Sequence, residues 1–128
     1  MKFWSGLILS AMLLLCSCSS NEIEIEILYP QNGFVVAAIV NDVVALSVRF
    51  DATNDLVYET EVTLYPQGDP SNIIISWIET PGTNGSQTGR TVDLSSYGSG
   101  ARFTMDARAC ADAGCDEEFF ESSTFSLQ

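Results

Sequence analysis

The chain has 128 residues, enough for one domain, with seventeen Asp and Glu against five Lys and Arg, no His, and a formal net charge of −12. A nucleic-acid binder needs a basic face to neutralise phosphates, so that class is excluded. Without histidine, Ser-His-Asp and Cys-His catalysis and most zinc sites are excluded as well.

The chain opens MKFWSGLILSAMLLLCSC. Lys2 gives a short positive start. Residues 3–15 are mostly apolar, too short to span a bilayer comfortably, and have no stop-transfer charges behind them. That is the pattern of a signal peptide rather than a membrane-spanning helix. Its end resembles the lipobox of bacterial lipoproteins, in which a Leu lies three residues before the modified Cys with small residues between. Counting back from Cys16 puts the bulky Leu15 just before cleavage, whereas counting back from Cys18 gives Leu15, Cys16 and Ser17. The resemblance implies that Cys16 is a small filler lost with the signal. It implies that Cys18 is the acylated first residue of the mature chain. It further implies a diacylglycerol and usually a third acyl chain, and two or more chains hold a protein firmly to a membrane. Ser19 stands where an Asp would retain such a protein in the inner membrane, which favours the outer one. The expected location is the bacterial cell envelope, lipid-anchored at the outer membrane and facing the periplasm or the cell surface. The expected organisation is a signal over residues 1–17, a lipidated tether over 18–22 and a folded domain over 23–128. Removing 17 residues from 128 leaves 111. Losing Lys2 then leaves four Arg against seventeen acids, a charge of −13 before the terminal carboxylate.

Beyond the tether, "EIEIEI" (residues 22–27) alternates strictly, as a half-buried strand does. "PQNG" (30–33) is a turn signal, and residues 34–40 form a short apolar run ended by Asn41 and Asp42. Val44, Leu46, Val48 and Phe50 then share one face, and "DATND" (51–55) reads as a loop. In residues 56–65, Tyr58, Thr60, Val62 and Leu64 are expected to point inward. "PQGDPSN" turns the chain, and residues 73–78 form another strand carrying Trp77. "TPGTNGSQTG" (80–89) reads as a long polar loop, Val92 and Leu94 mark a short strand, and "SSYGSG" is a bend. Its Gly and Ser clusters lack the strand–motif–helix setting of a phosphate loop. Phe103, Met105, Ala107 and Ala109 alternate with Arg102, Thr104, Asp106 and Arg108, and after a tight acidic turn residues 119–127 close the chain. No useful window has helical periodicity. Seven to eight short strands with turn signals every eight to twelve residues predict an all-β, antiparallel, immunoglobulin-like sandwich.

Several stretches resemble bacterial immunoglobulin-like domains. "ILYPQNGFVV" is similar to their opening strand, "ALSVRFDATNDLVYETEVTLY" to their second and third strands, and "VDLSSYGSGARFTMDARACADAGCDEEFFESSTFSL" to their last three. That tail is also similar to fibronectin type III modules. The resemblance spans nearly all of residues 23–127, with the antibody-type core Trp and inter-sheet disulfide absent from their usual places. It implies a non-catalytic binding, adhesion or envelope-assembly module.

Cys110 and Cys115 flank the final hairpin with four residues between them, so a hairpin brings them within bridging range. A disulfide is the expectation. A redox pair or metal thiolates have no helix amino terminus or His to lower a thiol pKa. In an immunoglobulin-type sandwich the "DATND" and "ADAGCDEE" loops lie at one end. Asp51, Asn54 and Asp55 then face Asp112, Asp116, Glu117 and Glu118 as oxygen ligands for calcium, or as a solvated acidic tip. No other cofactor is expected. The expected partners are the membrane, through the lipid, and a protein or cell-surface partner. The charge of −13 also fits an alternative, an acidic inhibitor or immunity lipoprotein that neutralises a basic enzyme such as a lysozyme or toxin.

Overall fold

Period-two alternation gives each strand one side to bury and one to leave in water. In the computed structural model the buried sides of eight strands meet in a two-layer sandwich. The structure describes residues 22–36, 43–53, 57–80 and 87–128. The strands are β1 (Ile23–Tyr29), β2 (Val35–Val36), β3 (Val43–Ala52), β4 (Glu59–Pro66), β5 (Ile75–Glu79), β6 (Gln87–Asp93), β7 (Arg102–Cys110) and β8 (Glu118–Leu127). Among the described residues there is no helix.

One sheet has the order β1-β3-β6 and the other β2-β8-β7-β4-β5. This is the immunoglobulin-like order: the chain crosses between layers from β1 to β2, back from β2 to β3, and again from β3 to β4, from β5 to β6 and from β6 to β7. All pairings are antiparallel except the short parallel contact of β2 with β8.

The core is built from the predicted inward faces. Val44, Leu46, Val48 and Phe50 of β3 are buried, and they meet Val62 and Leu64 of β4, Phe103, Met105, Ala107 and Ala109 of β7, and Phe125 and Leu127 of β8. Phe103 sits edge-on to Tyr97 at 5.0 Å and against Phe125 at 5.5 Å. Fully burying each such side chain contributes roughly 1.5–3 kcal/mol. The β5–β6 side of the sandwich is closed by Trp77. Its indole N–H donates to the buried Thr88 hydroxyl at 3.2 Å, Thr88 in turn donates to the Glu79 carboxylate, and the Arg90 guanidinium lies 5.3 Å over the Trp77 ring.

Strand limits differ from the sequence reading where pairing overrides composition. Asp51 and Ala52, expected in a loop, extend β3 because they pair with Glu24 and Ile23. Residues 87–89, expected to be loop, belong to β6 because Gln87, Thr88 and Gly89 lie opposite Arg49, Val48 and Ser47. Gly89 has no substitute there: a Cβ would stand 2.6 Å from the Leu46 carbonyl oxygen. Tyr58 was expected inward but is exposed, because the ladder starts only at Glu59 and Val57 takes the buried place. The fifth strand starts at Ile75 rather than residue 73, leaving Ile73 exposed.

Candidate functional site

The five-stranded sheet turns its outer face to solvent, and the register fixes which side chains meet there. One transverse row reads Ile78, Glu61, Arg108, Phe120 across β5, β4, β7 and β8. The next reads Ser76, Thr63, Asp106, Ser122. Ile78 and Phe120 stand at the ends of the first row, 57% and 65% exposed.

Arg108 organises the polar centre. Its Nη2 donates to Glu59 at 2.7 Å and to Glu61 at 3.1 Å, and its Nη1 reaches Glu118 at 3.5 Å. One half-buried guanidinium therefore joins β4, β7 and β8. The Glu59 hydrogen bond raises the Arg108 pKa above its ordinary value; burial acts the other way, and Glu61 adds to the rise. The same Nη1 lies 2.7 Å from Cys110 Sγ and 3.6 Å from Cys115 Sγ. One row down, the Asp106 carboxylate accepts the Tyr65 phenol at 2.7 Å and the Ser122 hydroxyl at 2.7 Å. Tyr65 is pushed up to about 12, first by its hydrogen bond to Asp106, then by burial and by the Asp106 charge, since ionisation would set phenolate against carboxylate.

The β7–β8 hairpin tip is closed covalently. Cys110 and Cys115 form the expected disulfide, with Cα atoms 4.9 Å apart. Inside the turn, the Asp112 carbonyl accepts the Cys115 N–H at 3.1 Å and its carboxylate accepts the Asp116 N–H at 2.9 Å. Cys115 sits in the left-handed region at φ 52°.

Among the described residues, the expected calcium residues are not gathered into a group of three ligand atoms. Asp51 lies on β3 and holds Arg49 at 2.9 Å, while Asp112 turns its carboxylate onto its own hairpin backbone. Asn54 and Asp55 lie outside the described residues, as do Cys18 and the signal segment 1–17. Among the described residues, the group of three or more acidic or cysteine ligand atoms within 4.8 Å of one another is Glu59, Cys110 and Cys115, not Asp51, Asp112 and Asp116. Its two sulfurs are bonded to each other and Arg108 sits against them, so it is not built for a cation.

Sequence reasoning did not single out Arg108, Asp106 or Tyr65. The available signal was parity: all three occupy outward positions on strands whose inward positions are apolar. No family model, curated protein or solved structure matches the chain.

Proposed function

We propose that the chain is a non-catalytic lipoprotein of the bacterial outer membrane, whose single sandwich acts as a binding, adhesion or envelope-assembly module. One observation carries the anchor: Leu15-Cys16-Ser17-Cys18 closes an apolar leader, and β1 begins at Ile23, five residues after Cys18. At about 3.3–3.6 Å per residue this tether reaches roughly 17 Å, enough to stand a domain on a membrane surface and no more. Support for binding comes from the outer face of the five-stranded sheet. Its apolar side chains are solvent-facing at Ile78 and Phe120, and its polar groups are held in place by Arg108 and Asp106. Fold alone does not specify a partner. The excess of acids favours a basic protein over an acidic one.

The anchor predicts an asymmetry between neighbouring cysteines. With a fatty-acid analogue fed to expressing cells, Cys18→Ser loses the label and accumulates as precursor. Cys16→Ser stays labelled and partitions with membranes. Label retained by the Cys18 variant and lost by the Cys16 variant would mean that the other cysteine carries the lipid, and no label on either would remove the anchor.

A further inference from the structure

We propose that the flank between β1 and β8 is a docking groove for an extended, basic polypeptide segment that adds as a strand to the open part of β8. The starting observation is the incomplete cover of β8. Strand β2 pairs only with Ser126 and Leu127, and just before it the Gly33 N–H and the Asn32 side chain bond the Thr124 carbonyl and N–H. Thr124 and Ser126 thus aim their backbone groups at this edge, whereas Leu127 donates the other way, to Ala101. The same parity aims the backbone of Phe120 and Ser122 at the edge. No described strand runs beside them, and the Ser122 N–H is met by the neighbouring Glu121 carboxylate at 3.4 Å. A row of open backbone groups is a template for strand addition.

The space beside that edge is shaped. One depression lies between Glu22, Ile23 and Glu24 of the β1 side and Phe119 of β8. A second lies between Ile25, Glu26 and Ile27 and residues Glu121, Ser122 and Ser123. Together they follow the β1–β8 flank, with half-buried Ile25 and Phe119 in the floor and Phe120 standing exposed at the rim.

Charge selects the occupant. Glu22, Glu24, Glu26 and Glu121 line these depressions and are all exposed. Arg49, opposite Glu26 in register, is bonded to Asp51, and Arg108 is turned instead to Glu59, Glu61 and Glu118. A second copy of the chain would set carboxylates against carboxylates, which disfavours self-pairing. A strand carrying Lys or Arg on alternate positions meets the backbone edge and the carboxylates at once. This inference rests on the binding-module reading and is independent of the lipid anchor.

The test uses full-length protein purified in detergent and a fluorescent decapeptide of alternating Lys and Val, with a Glu–Val decapeptide as control. The Lys–Val peptide should raise anisotropy saturably and bind about tenfold more weakly at high salt, where screening is complete within a few ångströms. Amide exchange should slow at Phe120. Glu24→Lys with Glu121→Lys, both at exposed positions, should lower affinity at least tenfold. Phe120→Pro, which removes an edge N–H, should abolish binding; if that variant misfolds by circular dichroism, the charge reversal decides. Equal binding by the charge-reversed protein, protection confined to the other open edge at β5, or dimers that protect Phe120 without peptide would each overturn the proposal. A separate photo-crosslinker at Ile78 addresses the wider reading: a basic partner captured there, with no peptide bound at β8, overturns the groove and leaves the binding module standing.

Discussion

Replacing both Cys110 and Cys115 by Ala tests how much the hairpin clamp contributes. The bridge joins residues five apart and so closes a ring of six. In the chain-entropy model, opening such a ring returns roughly 2 kcal/mol of freedom to the unfolded state. Cys110 is also fully buried, so deleting its sulfur removes packing against the strand ladder and adds about 1 kcal/mol. The turn keeps its Asp112 hydrogen bonds to Cys115 and Asp116 backbone N–H groups, and the core lies elsewhere, so the domain should still fold. The expected loss is about 2–3 kcal/mol, which for a domain of this size lowers Tm by roughly 10–15 °C. Paired thermal and urea melts of oxidised parent and variant measure it, with the urea slope unchanged because the same surface unfolds. A variant melting within about 2 °C of the parent would refute the reasoning, as would two reactive thiols in the unreduced, denatured parent.

Gly89→Ala should cost at least about 2 kcal/mol, because the new methyl meets backbone at Leu46 that cannot swing away, while Gly98→Ala, with nothing within 4 Å, serves as the neutral control in the same melts. The Tyr65 phenol has a folded-state pKa near 12, raised from 10.0. The stability it contributes is therefore complete below pH 10 and disappears as pH climbs through 12. Phenolate absorbance should show this late step in the parent and at lower pH in Asp106→Asn. Identical titrations would show that the Tyr65–Asp106 bond is absent in solution.

What could be read in the sequence depended on how local each feature is. β3 and β7 carry four apolar residues at strict alternation, and their inward faces follow from sequence alone. The disulfide was legible for the same reason, since its two cysteines are joined by one turn. β6 was half missed. Gln87, Thr88 and Gly89 have turn-like composition, and only the pairing with β3 and the demand of Trp77 for a buried acceptor make them a strand. The Arg108 cluster was illegible because Glu59, Glu61 and Glu118 are 49, 47 and 10 residues away, and they meet only through the register of three strands. Asp51 misled in the opposite sense. It lies beside loop residues in sequence, yet the partner that decides its place is Glu24 across the ladder.

The position of β1 links the fold to the proposed tether. Glu22 accepts hydrogen bonds from the Thr53 N–H and hydroxyl, so the chain enters the sandwich at the end where β3 leaves and where the β7–β8 hairpin turns. A lipid on Cys18 would hold that end toward the membrane. The same end carries Asp112, Asp116, Glu117 and Glu118. On the proposed anchor, anionic headgroups would repel such a tip within about a Debye length, roughly 8–10 Å, while the tether would restrain it within about 17 Å. These opposed constraints favour a domain that stands off the surface with its strands steep to it. The β1–β8 flank and the outer face of the five-stranded sheet would then open sideways, where a partner could reach them without displacing lipid. The disulfide and Arg108 brace the β7–β8 hairpin tip against β4, so the carboxylates of that tip are carried on a stiffened turn.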